Sequence, residues 1–457
     1  MTTNATCPTL RAARTVLLAG AVLVAGACDS LLDVDNPNNV GESDLQNPTS
    51  VAALVNGALS ATAEAYTTVT RAHVTLTDEY DWSGSWDAAG ELERGALGNT
   101  ANDFTKEGFN DLARARWLAD EAYELTKGFH AEGSLTSPLL LARSALYSGI
   151  NYLVIADSYE DFAFSDKRES GAPIGPANMH TLYDQAIARF AEAEQIAGTA
   201  GSVSIRLAAI GLTARAHYAK ALWQKLSAGS TPADPLISVA AADAAAQQLI
   251  QLAPENDWRF TFEFGSTTTV NVAASWINQR NEMVVGALYG RKDASQKKIC
   301  SPTNTACPEE GIVYEDPIDG IPDPALRGVV YAFIEGDQYA PQTVIGMREI
   351  HLILAESALA GNDVPGFVTH VNHVRALDGL TPYDPGSHAI APAEMLIHTR
   401  LVNLFLQPMR RLSDLYRFGL TVEQWLPSAE ARTAPGTVFP ISDEERLANC
   451  YFNGSCS

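Results

Sequence analysis

Tyr183-Asp184-Gln185-Ala186-Ile187-Ala188-Arg189-Phe190-Ala191-Glu192-Ala193 and, after a short Gly/Ser connection, Ala208-Ala209-Ile210-Gly211-Leu212-Thr213-Ala214-Arg215-Ala216-His217-Tyr218-Ala219-Lys220-Ala221 decide how this chain folds. In the first stretch Tyr183, Ala186, Ile187, Phe190 and Ala193 recur at three- and four-residue steps, which is the period of one helix face. In the second, Ala208, Leu212 and Ala216 repeat every four residues up to Lys220 and Ala221. Alanines along such a stripe let two helix backbones approach closely, so the two stretches read as helix, short loop, helix.

The same texture extends outward. Asn47-Pro48-Thr49-Ser50 is a cap signal, and Val51, Leu54, Val55, Ala58, Leu59 and Thr62 follow on one face. Further amphipathic segments fall near 107–127, 137–160, 179–197, 203–228 and 238–253, and again near 346–361, 364–378 and 392–417. Pairs of this kind read as degenerate tetratricopeptide units or as an irregular α bundle; both give a mainly α scaffold. Residues 254–345 break the pattern with Gly, Pro, Asp and Thr and with short β-like runs at Met283-Val284-Val285 and Gly328-Val329-Val330-Tyr331. Long irregular stretches in a compact protein are usually functional. The expected organisation is therefore a leader at 1–27, a tether at 28–46, a helical scaffold at 47–253, a loop-rich insertion at 254–345 and C-terminal helices with a tail at 346–457. Two or three domain-sized units, or one large domain with insertions, both fit this length.

The leader carries Arg11 and Arg14, no acid, and the apolar run Val16–Ala25, followed by Ala25-Gly26-Ala27-Cys28. That is an export signal. Its end fits lipidation of Cys28 as well as ordinary cleavage before Cys28; the first places the protein on a membrane by a lipid anchor alone, since no later apolar run approaches 18 residues. Removal of the leader takes the net charge from −23 to −25, and so acidic a chain offers no obvious face for nucleic acid. Four of the remaining cysteines form close pairs, Cys300 with Cys307 and Cys450 with Cys456. In an exported chain these read as two local disulfides, and the C-x-x-C spacing or nearby histidines that zinc would need are missing.

No G-x-G, Gly-Lys, G-x-S-x-G or H-E-x-x-H occurs, so dinucleotide, P-loop, serine-hydrolase and zincin chemistries lose their anchors, and no catalytic residue, metal or cofactor is expected. His370 and His373, three apart on an expected helix, read as surface or core histidines. Asp78-Glu79-Tyr80-Asp81-Trp82-Ser83-Gly84-Ser85-Trp86-Asp87 stands out, with two indoles, a phenol and acids beside Gly and Ser. Flat rings stack on sugar C–H faces while carboxylates hold hydroxyls. The same residues also serve as loop anchors, and both readings stay open.

Three stretches together resemble the SusD/RagB family of surface lipoproteins. The first is Cys28 with Leu32-Asp33-Val34 and Asn36-Pro37-Asn38. The second is Met347-Arg348-Glu349-Ile350, Leu352 through Leu359 with its Ala355-Glu356 step, then Val371-Asn372 and Val374-Arg375. The third is His398-Thr399-Arg400, Arg411 through Arg417, and Val438-Phe439-Pro440-Ile441-Ser442. Thr399 and Asn403 stand where the family usually has glutamates, and Gln407-Pro408-Met409 replaces a Glu-Gly step. The resemblance implies a mainly α, SusD-like fold with tetratricopeptide-like helix pairs, and a non-catalytic protein at the cell outer membrane, facing outward. Its implied task is to capture an oligosaccharide or oligopeptide and pass it to a SusC-like TonB-dependent transporter. By region, the implied ligand residues are Asp78, Tyr80, Trp82, Trp86 and Asn102 after the first long helix, and Trp276, Arg280 and Tyr289 in the insertion. The rival from another class is an exported α-rich glycoside hydrolase or lyase.

Overall fold

The computed structural model describes residues 47–166 and 169–456. The leader, Cys28 and the tether lie outside the described residues. The first helix, α1 (Val51–Leu76), starts where Asn47 Oδ1 accepts from the amides of Thr49 and Ser50, both at 3.0 Å. Its second half is buried almost all round despite its threonines, because Thr70 and Thr75 donate to the carbonyls of Tyr66 and Arg71, both at 2.8 Å. After α2 (Asp87–Glu93) come α3 (Asp103–Ala131), α4 (Pro138–Ser158), α5 (His180–Ala200), α6 (Val203–Leu226) and α7 (Ala240–Leu252). Each of α3 to α7 packs on the next, as stacked helix pairs do. The alanines of the deciding stretch lie in these seams: Ala186, Ala193, Ala208, Ala216 and Phe190 are fully buried. Phe190 lies against Gly149 of α4, where a Cβ would overlap its ring. α4 has the length and hydropathy of a membrane span, contrary to the reading that no later run approaches one, but 89% of that window is buried and it is a core helix.

The chain closes on itself through α9 (Met347–Ala360), α10 (Val364–Leu377), α11 (Pro392–Asn403) and α12 (Arg410–Arg417). One continuous helix was expected over 392–417. The structure breaks it at 404–409, where Leu406 and Met409 both take φ 65° and Pro408 has no amide hydrogen to continue the ladder. The insertion is also more ordered than expected. Met283–Val285 is a strand (β3) pairing antiparallel with Tyr80–Trp82 (β1), with Tyr80 opposite Val285 and Trp82 opposite Met283. Arg259–Phe262 (β2) pairs with Gln342–Gly346 (β4), with a register shift between Phe260 and Thr261. Gly328–Tyr331, expected to be β-like, lies instead inside α8 (Pro324–Glu335). Asp323 caps that helix by accepting from the amides of Ala325 (3.0 Å) and Leu326 (3.1 Å), and Pro324 sits at its first position. A good cap and the burial of Leu326, Val330 and Phe333 outweigh the β-branched pair.

A buried ion network fastens the C-terminal helices to the scaffold. Arg215 of α6 bridges Asp157 of α4 (2.6 Å) and Glu349 of α9 (3.2 Å), and Arg410 also reaches Glu349 (3.1 Å). Glu356 of α9 pairs with Arg417 and accepts from Tyr218 (2.8 Å), while Asp414 holds Arg400 (2.9 Å) and Arg417 (2.8 Å). Burial would raise the Asp414 carboxyl, but the Arg400 and Arg417 charges more than offset it and hold it below the usual range. The charged residues of the C-terminal stretches that carry the family resemblance thus sit inside the fold. The unusual Asn403 joins them, accepting from Arg348 at 2.7 Å. His370 and His373 meet His351 between α9 and α10, with rings of His351 and His373 stacked at 3.8 Å.

Candidate functional site

The site begins where α1 ends. Past β1, the amides of Ser83 and Gly84 donate to the Glu282 carbonyl (3.0 and 3.1 Å), and those of Ser85 and Trp86 donate to its carboxylate (2.7 and 3.1 Å). A Cβ at Gly84 would overlap that carboxylate, so only glycine lets the loop close on it. The loop presents Trp86, 36% exposed, edge-on to Trp276 at 5.5 Å. Trp276 lies between two guanidiniums, Arg280 at 3.9 Å and buried Arg71 at 4.6 Å, and meets Phe104 edge-on at 4.9 Å. Arg71 also lies over Phe104 at 4.0 Å and pairs with Glu107 at 2.6 Å; burial lowers its proton affinity, with Glu107 opposing.

Trp276 belongs to a π-helical turn, Ser275–Gln279, a departure from α geometry that recurs at functional sites. Beside it opens a cleft of about 380 Å³ between that turn, β3 and the loop closed by the Cys300–Cys307 disulfide. Its walls are mostly hydrogen-bonding groups, among them Asn278, Gln279, Asn281, Lys297, Thr303 and Asn304, over an apolar floor of Ile277, Val284 and Ile299. Backbone strain gathers here: Asn281 (φ 52°) and Asp337 (φ 53°) line the cleft, and Gln296 (φ 59°) precedes Lys297. Asn281 Oδ1 is buried without a partner. Asp337, the one carboxylate among the described lining residues, accepts from the Gln279 amide with both oxygens at 2.6 Å. A roomier groove of about 520 Å³ runs between α5, α6 and the C-terminal segment, past Trp223, Leu226 and Tyr416. It too includes a left-handed residue, Met409 (φ 65°), but none of the residues expected to touch a ligand.

Of the eight residues expected to touch a ligand, the structure brings Trp86, Trp276 and Arg280 together. The others are placed differently. Asp78 is buried in a fork with Arg411, at 2.7 and 2.5 Å. Tyr80 and Tyr289 are fully buried on either side of Phe405, at 6.4 and 5.2 Å. Asn102 caps α3, accepting from Phe104 (3.0 Å) and donating to the Ala88 carbonyl (3.0 Å). Trp82 is half-buried with its ring against Gly90. These five hold the frame: period-two pairing on β1 sends Tyr80 inward, and Asp78 is needed to neutralise a buried arginine. The polar walls at 278–281 and 297–304 were missed. Their signal is in the sequence, since three of the chain's eight lysines fall within Lys292–Lys298, next to a cysteine-closed loop.

Both expected disulfides are present, Cys300–Cys307 and Cys450–Cys456, each with Cα atoms 4.8 Å apart. A buried trio able to ligate a metal, Asp316, Asp323 and His398, is spent otherwise: Arg375 lies 2.7 Å from Asp316, and Asp323 caps α8.

No protein-family model matches the sequence, and no curated protein matches it. Solved structures do. A SusD superfamily protein from Parabacteroides distasonis is similar at TM-score 0.59 and 12% identity, over 88% of this chain and 98% of that one. A SusD superfamily protein from Bacteroides thetaiotaomicron is similar at TM-score 0.57 and 12% identity, over 89% and 98%. A structure described as a SusD-like carbohydrate binding protein, from Bacteroides vulgatus, is similar at TM-score 0.53 and 12% identity, over 90% and 98%. With these matches covering 88–90% of this chain, its fold is that of the solved SusD superfamily structures.

Proposed function

We propose that this protein is a non-catalytic binding subunit that captures a glycan or oligopeptide in the cleft beside Trp86 and delivers it to a TonB-dependent outer-membrane transporter, anchored by lipid at Cys28. The observation that carries the reading is the cleft itself, a strained, hydrogen-bonding wall over an apolar floor, with exposed Trp86 packed on Trp276, the neighbour of the lining residue Ile277; this composition suits a ring with polar edges and apolar faces. The fold likeness to a protein described as carbohydrate binding supports it. The hydrolase alternative needs two carboxyl groups across a bond, and the described cleft lining offers only Asp337, already engaged by Gln279.

Incubating the full chain on an array of glycans and oligopeptides, with product analysis of every ligand retained, tests the binding. Retention without turnover is expected; cleavage of a retained glycan moves the hydrolase to the front. Affinity purification from gently solubilised host membranes, with mass spectrometry of partners and N-terminus, tests the rest. A large barrel and a lipidated Cys28 are expected, and an unmodified N-terminus with no barrel contradicts delivery.

A further inference from the structure

Resting on that reading, we propose that the ligand of this cleft is anionic, an oligosaccharide carrying carboxylate or sulfate groups. The chain has 54 acidic residues against 31 basic ones, and only eight of the basic ones are lysines. Most cations of such a protein find a carboxylate close by. Lys292 does so here, donating to Asp81 at 2.6 Å. Lys297 and Lys298 line the cleft and, among the described residues, neither has a carboxylate within ion-pair distance. Arg280, between the lining residues Gln279 and Asn281, also has none; its exposed guanidinium is held over Trp276 at 3.9 Å and near Trp86 at 5.4 Å.

Two uncompensated cations therefore line one opening, and a third is carried between two of its lining residues, in a protein whose net charge is −23. The acids of the same segments already hold protein hydrogen bonds, including Asp337, the one carboxylate in the described lining. Asp337 is engaged by Gln279, Glu282 is turned to the Ser85 and Trp86 amides, and Asp293 accepts from Ser295 at 2.6 Å and Asn304 at 3.1 Å. At physiological ionic strength, charges farther than about 8 Å are largely screened, so the local cations and not the distant carboxylates set the potential a bound ligand meets. The chemistry of the three groups differs usefully. A guanidinium fixed on an indole face offers a planar fork to a carboxylate or sulfate of a sugar stacked on Trp86, while two flexible ammoniums follow charges farther along the chain. A neutral glycan would leave all three unanswered.

The test uses the full chain on an array of uronic-acid, sulfated and neutral oligosaccharides together with polyglutamate peptides, followed by calorimetry of the best ligand and its charge-neutral counterpart at two salt concentrations. The expected result is a preference of at least about tenfold for the anionic saccharide, shrinking with salt and lost in Lys297→Gln/Lys298→Gln because the double variant loses far more affinity for the anionic saccharide than for its neutral counterpart. Carboxylate over sulfate, or the reverse, names the group, and either outcome supports the inference. Equal affinity for neutral and anionic saccharides overturns the charge inference and leaves the capture function standing. Polyglutamate bound above every saccharide overturns the saccharide class. Failure of every ligand to bind overturns the capture function and this inference with it. Unchanged far-ultraviolet circular dichroism of the double variant shows that the loop substitutions leave the helices intact.

Discussion

Gly84 and Glu79 show how tightly single residues are held around the site. Replacing Gly84 by alanine puts a Cβ into the Glu282 carboxylate that ties down Ser85 and Trp86. The expected outcome of Gly84→Ala is weakened ligand binding with little change in melting temperature, read by calorimetry beside a thermal scan. Glu79 is fully buried, accepting from the Leu406 amide at 2.7 Å and Thr77 at 3.1 Å; burial pushes its carboxyl from 4.5 up to about 8. The folded state keeps a proton there that the unfolded chain releases near pH 4.5. Glu79 thus contributes its stability fully below about pH 4.5, and that contribution is lost as pH rises towards 8, at roughly 1.4 kcal/mol per pH unit while the two states differ. Denaturant unfolding across this range should show Glu79→Gln gaining on the native chain as pH rises from 5 to 8; parallel curves would contradict the burial argument. Buried His73, donating to or accepting from Ser158 at 3.2 Å and held down to about 3, acts with the opposite sign, its contribution lost as pH falls below 6.5. Comparing variant with native cancels that background.

Among the elements, those read correctly from sequence are the ones whose apolar period and caps agree. α5 and α6 begin within a residue of expectation because Tyr183, Ala186, Phe190 and Ala193 bury on one face, as their spacing demands. α8 was hidden by Val329-Val330-Tyr331, although Asp323-Pro324 spelt a helix start just upstream. The break at 404–409 follows from Pro408, but two residues at φ 65° are a tertiary outcome that no local pattern announces. The site divides the same way. The segment 78–87 was legible as an aromatic cluster that helical spacing does not bury, but not which of its rings stays exposed: Tyr80, the first residue of β1, is buried by pairing with β3 some 200 residues away, which its neighbours in sequence cannot reveal. The loop bearing Lys297 and Lys298 depends on its cross-link: a disulfide closing so short a loop contributes about 2–3 kcal/mol against opening it. Cys300→Ser/Cys307→Ser is expected to leave helical circular dichroism unchanged and to weaken binding in the cleft. Loss of helical signal in parallel with binding would show that the loop also supports the scaffold.

Across the whole molecule the helices are joined through buried charge. The network of Arg215, Glu349, Arg410, Glu356, Arg400, Asp414 and Arg417 lies at the junction of α4, α6, α9, α11 and α12 and includes Glu349, Glu356, Arg400, Asp414 and Arg417 of the stretches that carry the SusD/RagB resemblance. Resemblance at those positions speaks for the fold and says little about the ligand, whose walls are built from a segment without such motifs. Glu356→Gln leaves Arg417 and Arg400 short of a counter-charge in the core, and is expected to cost about 3–5 kcal/mol in urea unfolding; a loss under 1 kcal/mol would mean that the network is not the clamp described. The central claim is that Trp86 and the cleft behind it form the ligand site. The most direct measurement is calorimetric titration of the best array ligand into the full chain and into Trp86→Ala, with unfolding curves for both. An affinity loss worth about 2 kcal/mol or more, near thirtyfold, with overlapping unfolding curves is the predicted result, and equal affinity of the two proteins would contradict it.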